Sequence, residues 1–216
     1  MRYLLVFFIF LSKGLTAQYK SAVLYNDTLA VRFSPLGLVD VFDGNFTAGA
    51  AYTLNNRWTL SADLSYIFYS AYIERRRGVS GYIFKPGIRY YLLKRRDFFV
   101  ESIPFYKRVG YKINDWLEKD CVNGVPAYRE LKTFRFRKQV VGLNMQAGVQ
   151  ESLTRNNLLR LEIYAGISIR YKWQDVKNEP GACYQPTVLF NDAFFSALNN
   201  FSAGVPHGLR LVYVIR

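Results

Sequence analysis

Alternation with a period of two residues is the feature that most constrains this chain. Between residues 158 and 173, Leu159, Leu161, Ile163, Ala165, Ile167, Ile169 and Tyr171 fall on one side of an extended backbone. Arg160, Glu162, Tyr164, Gly166, Ser168, Arg170 and Lys172 fall on the other. A helix would bring Arg160, Ile163 and Tyr164 onto one face, so a strand alone sorts these residues. The same sorting recurs at residues 45–54, 57–69, 81–92, 138–150 and 208–216, and more weakly at 29–36 and 98–109. These are eight segments, most of them long enough to cross a bilayer as a tilted strand of about 9–11 residues.

The connections carry a second pattern. Residues 55–56, 94–97 and 152–157 are tight polar turns, whereas 70–80, 112–133 and 174–206 are long, and only 40–44 is a short connection on that second side. Short turns at one end and long loops at the other match an up-and-down barrel that crosses an outer membrane, and an even strand number puts both chain ends on the short-turn side. No run reaches the roughly 18 apolar residues that a membrane helix needs. Aromatic residues make up 17% of the chain, which favours strands and interfacial belts.

The first 17 residues read as a leader rather than as part of the fold. Arg2 is its basic head, residues 4–11 are a short apolar run, and Ala17 before Gln18 is the cleavage point. Residues 18–216 then form one barrel domain. Formal net charge is +13, and losing Arg2 and Lys13 with the leader leaves the remainder strongly basic. Such a balance suits anionic lipid or lipopolysaccharide phosphate. No nucleic-acid-binding module is visible, so nucleic acid is not an expected partner.

Alternation does not say which face looks outward. In a soluble lipocalin-like calyx the apolar faces would line a ligand cup; in a membrane barrel they would face lipid. Three features favour the membrane. Trp58, Tyr66, Phe68, Tyr90, Tyr171 and Trp173 stand at strand ends, where two aromatic girdles would lie. The polar faces carry small residues (Gly49, Ser61, Ser65, Gly87, Gly142, Gly148, Gly166 and Ser168) that fit a narrow eight-strand lumen. The final segment also has spaced apolar and aromatic residues. The expected fold is all-β: an eight-stranded antiparallel up-and-down transmembrane β-barrel.

The leader, the run Val31-Arg32-Phe33-Ser34-Pro35-Leu36-Gly37-Leu38, the strand Phe105-Tyr106-Lys107-Arg108-Val109 and the strand Tyr164-Ala165-Gly166-Ile167-Ser168-Ile169-Arg170-Tyr171 together resemble the small outer-membrane β-barrels of Gram-negative bacteria, in the broad OmpA/OmpX-like group. The likeness spans nearly all of the chain after the leader. It implies a bacterial outer-membrane location and handling by the barrel assembly machinery, and brings no catalytic residues. The chain departs from the group's habit of ending on an aromatic residue: it ends Ile215-Arg216, with Tyr213 just before.

Three groups of residues are site candidates. Arg32, Asp63, Lys85, Arg89, Glu101, Lys107, Arg160, Glu162, Arg170 and Arg210 would point into the lumen, either as a plug of ion pairs or as the lining of a narrow anion-leaning channel. Arg75, Arg76 and Arg77 would meet lipopolysaccharide phosphates. Cys121 and Cys183, the only cysteines, would form a disulfide across two long loops in an oxidising compartment. Aromatic runs at 116–128 and 186–201 would be adhesive surface or a cap. A lipid-modifying enzyme of this shape would need Ser202 or Ser196 beside His207, the only histidine. No metal or cofactor site is expected, and the expected role is non-enzymatic: envelope structure with loop-mediated interaction.

Overall fold

Because alternation sorts apolar from polar residues along almost every segment, a flat sheet would leave one polar and one apolar face, and two raw edges. Closure removes the edges. The computed structural model describes residues 29–40, 43–71, 73, 76–93, 95–121, 125–182, 184 and 201–215; the expected leader, 1–17, lies outside them. The strands are β1 (Leu29–Ser34), β2 (Asn45–Thr53), β3 (Trp58–Ile67), β4 (Arg76–Tyr91), β5 (Phe98–Lys119), β6 (Tyr128–Ser152), β7 (Leu159–Lys177), β8 (Phe201–Gly204) and β9 (His207–Ile215). β1 to β7 pair antiparallel in order, β8 and β9 both pair with β7, and β9 pairs with β1 to close the ring.

The ring has eight staves, as the alternation implies. β8 and β9 are one stave: Gly204 faces Ser168 and His207 faces Ala165, so three steps on one strand match three on the other. The ladder lapses at Val205 and Pro206, where proline has no N–H to give. A similar lapse divides β4 from β5. Pairing stops between Phe84↔Tyr106 and Ile88↔Ser102, the stretch in which Pro86 and Pro104 occur. Before β2, a 3-10 turn at Pro35–Val39 ends β1 sooner than the alternation suggests, with Pro35 at its first position.

The ring is apolar outside and polar inside. β3 shows it most clearly: its burial alternates strictly, with Trp58, Leu60, Leu64 and Tyr66 exposed and Thr59, Ser61, Asp63 and Ser65 buried. Ile163, Ile167 and Ile169 are likewise exposed, whereas Arg160 and Glu162 are buried. From Leu159 to Tyr171 the outward face of β7 carries no charge, a band of ~40 Å along the strand and ~30 Å in height at a tilt near 40°. Aromatic contacts mark both ends of the band. Trp58 and Tyr90 have ring centroids 4.8 Å apart near the short turns; Tyr171 lies 5.0 Å from Phe201 and 5.9 Å from Trp173 near the long connections.

Three long connections are shorter than expected. Much of 112–133 is strand, with β5 running to Lys119 and β6 starting at Tyr128; β4 begins at Arg76, and β7 continues to Lys177. Above the apolar band the pattern inverts. Val109, Tyr111, Ile113, Leu117, Phe134 and Phe136 now point inward and form a buried cluster with Ile67, Ile73 and Ile83. Arg108, Lys112, Arg135 and Arg137 point outward. Tyr184 packs on Phe134 and Phe136, with centroids 4.9 and 5.5 Å away. The result is a three-stranded extension with a conventional apolar core, standing on an inside-out barrel.

Phe136→Ala removes a ring that is 2% exposed. It should cost ~3–5 kcal/mol within the extension. Limited proteolysis of the purified protein should then cut within residues 110–137 while the remaining barrel stays resistant. Equal resistance of the extension in both proteins would contradict its core.

Candidate functional site

Strand register brings opposite charges together inside the barrel. Asp63 is directly across from Lys85, Arg89 from Glu101, and Glu162 from Arg210. Opposite-charge cross-strand pairs on one face are a favourable arrangement of a sheet. Gly49 stands between Arg32 and Asp63 in the register. It must be glycine there: a Cβ would lie 2.1 Å from Asp63 Oδ1 and 2.5 Å from the Ala62 carbonyl oxygen.

Three arginines and three carboxylates then make a neutral, buried network. Arg32 Nη1 donates to Glu101 Oε1 at 3.0 Å, and its Nη2 lies 3.2 Å from Asp63 Oδ2. Arg89 donates to Glu101 Oε2 at 3.0 Å and to Glu162 at 2.5 and 2.8 Å. Arg210 Nη1 donates to Glu101 Oε2 at 3.2 Å and Glu162 Oε2 at 2.9 Å. Ser61 Oγ and Gln146 Nε2 give Glu101 two further hydrogen bonds, each 2.9 Å. Aromatic faces complete the packing. The Arg89 guanidinium lies 3.8 Å from the centroid of Phe99, and that of Arg210 4.7 Å from Tyr164.

Seven of the ten expected lumen charges are thus buried: Arg32, Asp63, Arg89, Glu101, Arg160, Glu162 and Arg210. Arg160 is set lower, where its Nε donates to the Asn157 carbonyl at 3.2 Å. Lys85 and Arg170 are half-buried. Arg170 donates to the Ala203 carbonyl at 3.2 Å and lies across Gly204. Lys107 pairs with Asp43, nearer the long connections. Burial alone would raise the Asp43 carboxyl; Lys107, with Lys138 and Ser70, outweighs it and holds the group below the ordinary carboxylate range. That pair therefore adds stability above the unfolded value and loses it as pH falls through the lowered one. The alternation did not single out Ser61, Gln146, Phe99 or Tyr164 for this network, since neutral residues on a polar face carry no charge signal.

Below the network is a cavity of about 20 Å³, lined by Arg32, Arg89, Arg96, Arg160, Gln150 and Glu162 among others. That is room for about one water, not for a solute. Above it, the apolar cluster lies against β3, β4, β5 and β6.

The remaining candidates are not gathered here. Arg76 donates to the Ile73 carbonyl at 2.8 Å and has its guanidinium 5.1 Å from the Tyr69 centroid. Arg77 is exposed next to it, and Arg75 lies outside the described residues. His207 is exposed, with Nδ1 2.9 Å from the Val205 carbonyl, whereas Ser202 is buried; five residues apart in one extended stave, they face opposite sides. Ser196 and the run 186–200 lie outside the described residues, as does Cys183.

Glu101→Gln removes the charge that three arginines share. Unpairing a buried ion costs roughly 3–5 kcal/mol. The urea midpoint for loss of the folded band on an unheated gel should fall accordingly, and by more than for a substitution in an exposed turn such as Arg155→Ala. An unchanged midpoint would show that the network does not hold the ring together.

No curated protein matches the chain. A family described as a protein of unknown function (DUF3575) matches residues 6–187, which takes in β1 to β7 but not the stave that closes the ring. The chain belongs to that family, and its described residues form an antiparallel β-sheet.

Proposed function

We propose that the protein is a non-enzymatic integral barrel of a Gram-negative outer membrane, related in architecture to the OmpA/OmpX-like group, that supports the envelope and presents its β5–β6 extension outside the cell. The observation that carries this is the reversal of ordinary burial: apolar side chains cover the outside of the ring and paired charges fill its inside. Water would penalise such an exterior, and hydrocarbon rewards it. Backbone closure also meets the requirement that every N–H and C=O in a membrane be satisfied within the protein. Export would follow cleavage between Ala17 and Gln18, and insertion would use the barrel assembly machinery. The surrounding partner would be outer-membrane lipid, including lipopolysaccharide.

Ion pairs that bridge the ring from several sides favour a structural role over an anion-leaning channel. The opposed faces of Ser202 and His207 favour it over lipid-modifying chemistry.

Membrane fractionation with heat-shifted gel mobility tests the location: the protein should float with outer membranes and migrate differently before and after boiling. Reconstituted in planar bilayers, it should give no conductance steps; steady anion-selective openings would reject the plug. Ile167, 66% exposed at mid-band, should face lipid. Ile167→Arg should cost ~2–4 kcal/mol of barrel stability; a variant that assembles and resists urea like the parent would place that face in water.

We also propose the Cys121–Cys183 disulfide. The Cys121 amide donates to the Gly181 carbonyl at 3.0 Å, two residues from Cys183, so the two connections run together. Nearby, Lys119 and Lys132 pair with Glu179 and hold its carboxyl below the usual range. Non-reduced native protein should resist thiol labelling and become labelled at both cysteines after reductant; full labelling without reductant would rule the bridge out.

A further inference from the structure

The outer face of the extension has a row of cations with no acid in it. Register sets Lys112 opposite Arg135, and Arg135 opposite Lys177, so three basic residues from β5, β6 and β7 stand side by side. All three are exposed. Like charges directly opposite each other in a sheet repel. Several other cations of the extension have acidic partners: Arg137 with Asp175 at 2.5 Å, Arg129 with Glu118 at 2.7 Å, and Lys132 with Glu179 at 2.6 Å. Among the described residues, Lys112, Arg135 and Lys177 have no ion pair. The row therefore spends electrostatic energy in the protein alone, and an anion would recover it.

The neighbouring surface is open. Gly78 is across from Lys112, and Gly110 is two residues before it. A Cβ on Gly110 would find its first neighbour at 3.7 Å, and one on Gly78 at 4.0 Å. The floor between β4 and β5 thus carries only the small side chain of Ser80 beside the cations, and Arg108 borders it from below.

Height identifies the ligand's chemistry. Lys177 is four residues beyond Trp173, at the upper aromatic girdle. Four residues are ~13 Å along a strand, or ~10 Å in height once tilted. Long basic side chains reach down over part of that distance. An anion at this level lies beyond the hydrocarbon edge yet is still attached to the membrane, which fits a phosphorylated sugar head group better than a simple phosphodiester. We infer that Lys112, Arg135 and Lys177 form a binding site for the phosphates of an outer-leaflet glycolipid, with Arg and Lys supplying charge-assisted hydrogen bonds. This inference rests on the outer-membrane reading above.

The test uses the full-length protein in detergent, with bis-phosphorylated lipid A, its dephosphorylated form and inorganic phosphate as probes in native mass spectrometry and titration. The parent should bind the bis-phosphorylated lipid at least about tenfold more tightly than the dephosphorylated one. The triple variant Lys112→Ala/Arg135→Ala/Lys177→Ala should lose at least about tenfold, while the control Arg155→Ala, on an exposed short turn, should bind like the parent. Gly110→Leu keeps every cation but fills the floor, and should weaken binding too. Equal binding of both lipids, or parent-like binding by the triple variant, would overturn the site. Inorganic phosphate competing as strongly as the lipid would overturn the glycolipid assignment. Each variant is first checked for heat-shifted mobility and outer-membrane flotation. A parent that fails those checks brings down the barrel reading itself; one that passes them and ignores phosphate brings down this site alone.

Discussion

One carboxylate ties together most of the ring. Glu101, on β5, accepts hydrogen bonds from Arg32 on β1, Ser61 on β3, Arg89 on β4, Gln146 on β6 and Arg210 on β9. Glu162 on β7 shares two of those arginines. Removing six charges from water is expensive, and their mutual attraction only roughly repays it. The network is therefore a weak argument for stability as such. It is a strong one for register. Sliding any of these strands by one residue would turn its charge from the lumen to the apolar outside and bring an apolar side chain in. Such a slip leaves partners unpaired on several other strands, so the error is penalised everywhere at once.

That same requirement explains the small residues around the network. Eight staves enclose a lumen just wide enough for side chains. Three guanidinium groups and three carboxylates share that space, so the wall facing them must be thin. At Gly49 the carboxylate of Asp63 lies where a methyl would be; at Gly87 a Cβ would meet Ser61 Oγ at 2.7 Å. Bulk that is absent from the polar face is made up beside the charges by Phe99, Ile103, Val212 and Val214, all buried.

Those four residues also show where a reading of sequence runs out. Along β7 and β3 each face has one character, and both the strands and their orientation can be read directly. Val212 is buried between the apolar Leu211 and Tyr213, and Ile103 is buried beside the polar Ser102, so neither inward position carries the polar character of its face; the lumen needs packing as well as charge. The pairing of charges is equally hidden: Asp63 and Lys85, or Glu162 and Arg210, are far apart in sequence, and only register joins them. Stretch 112–133 is hidden from the sequence for a different reason. Its alternation is present but in the opposite phase, with Tyr111, Ile113 and Leu117 turned inward and Lys112 and Asn114 outward. Read with the phase of the lower strand, it looks like a lost pattern and hence a loop. Among the arginines of 75–77, Arg76 donates to the Ile73 carbonyl of its own connection, a contact that adjacency in the chain does not reveal.

The phase change is itself a physical marker. β5, β6 and β7 are continuous strands, so the same outward face passes from Tyr106, Val141 and Tyr171 to Lys112, Arg135 and Lys177 without any break in the backbone. Nothing in strand geometry alters there; only the preferred surroundings of the side chains do. On the membrane reading, the change fixes the height of the molecule in its bilayer from both directions. Moving it inward by two residues would carry Arg108 toward hydrocarbon, at a cost of up to roughly 2–4 kcal/mol as it neared the midplane. Moving it outward would put Tyr106 and its neighbours fully into water, losing about 25 cal/mol for each Å² of apolar surface uncovered. Both penalties rise from the same point, so the barrel needs no external anchor to hold its depth, and the extension's core begins where lipid can no longer cover the apolar face.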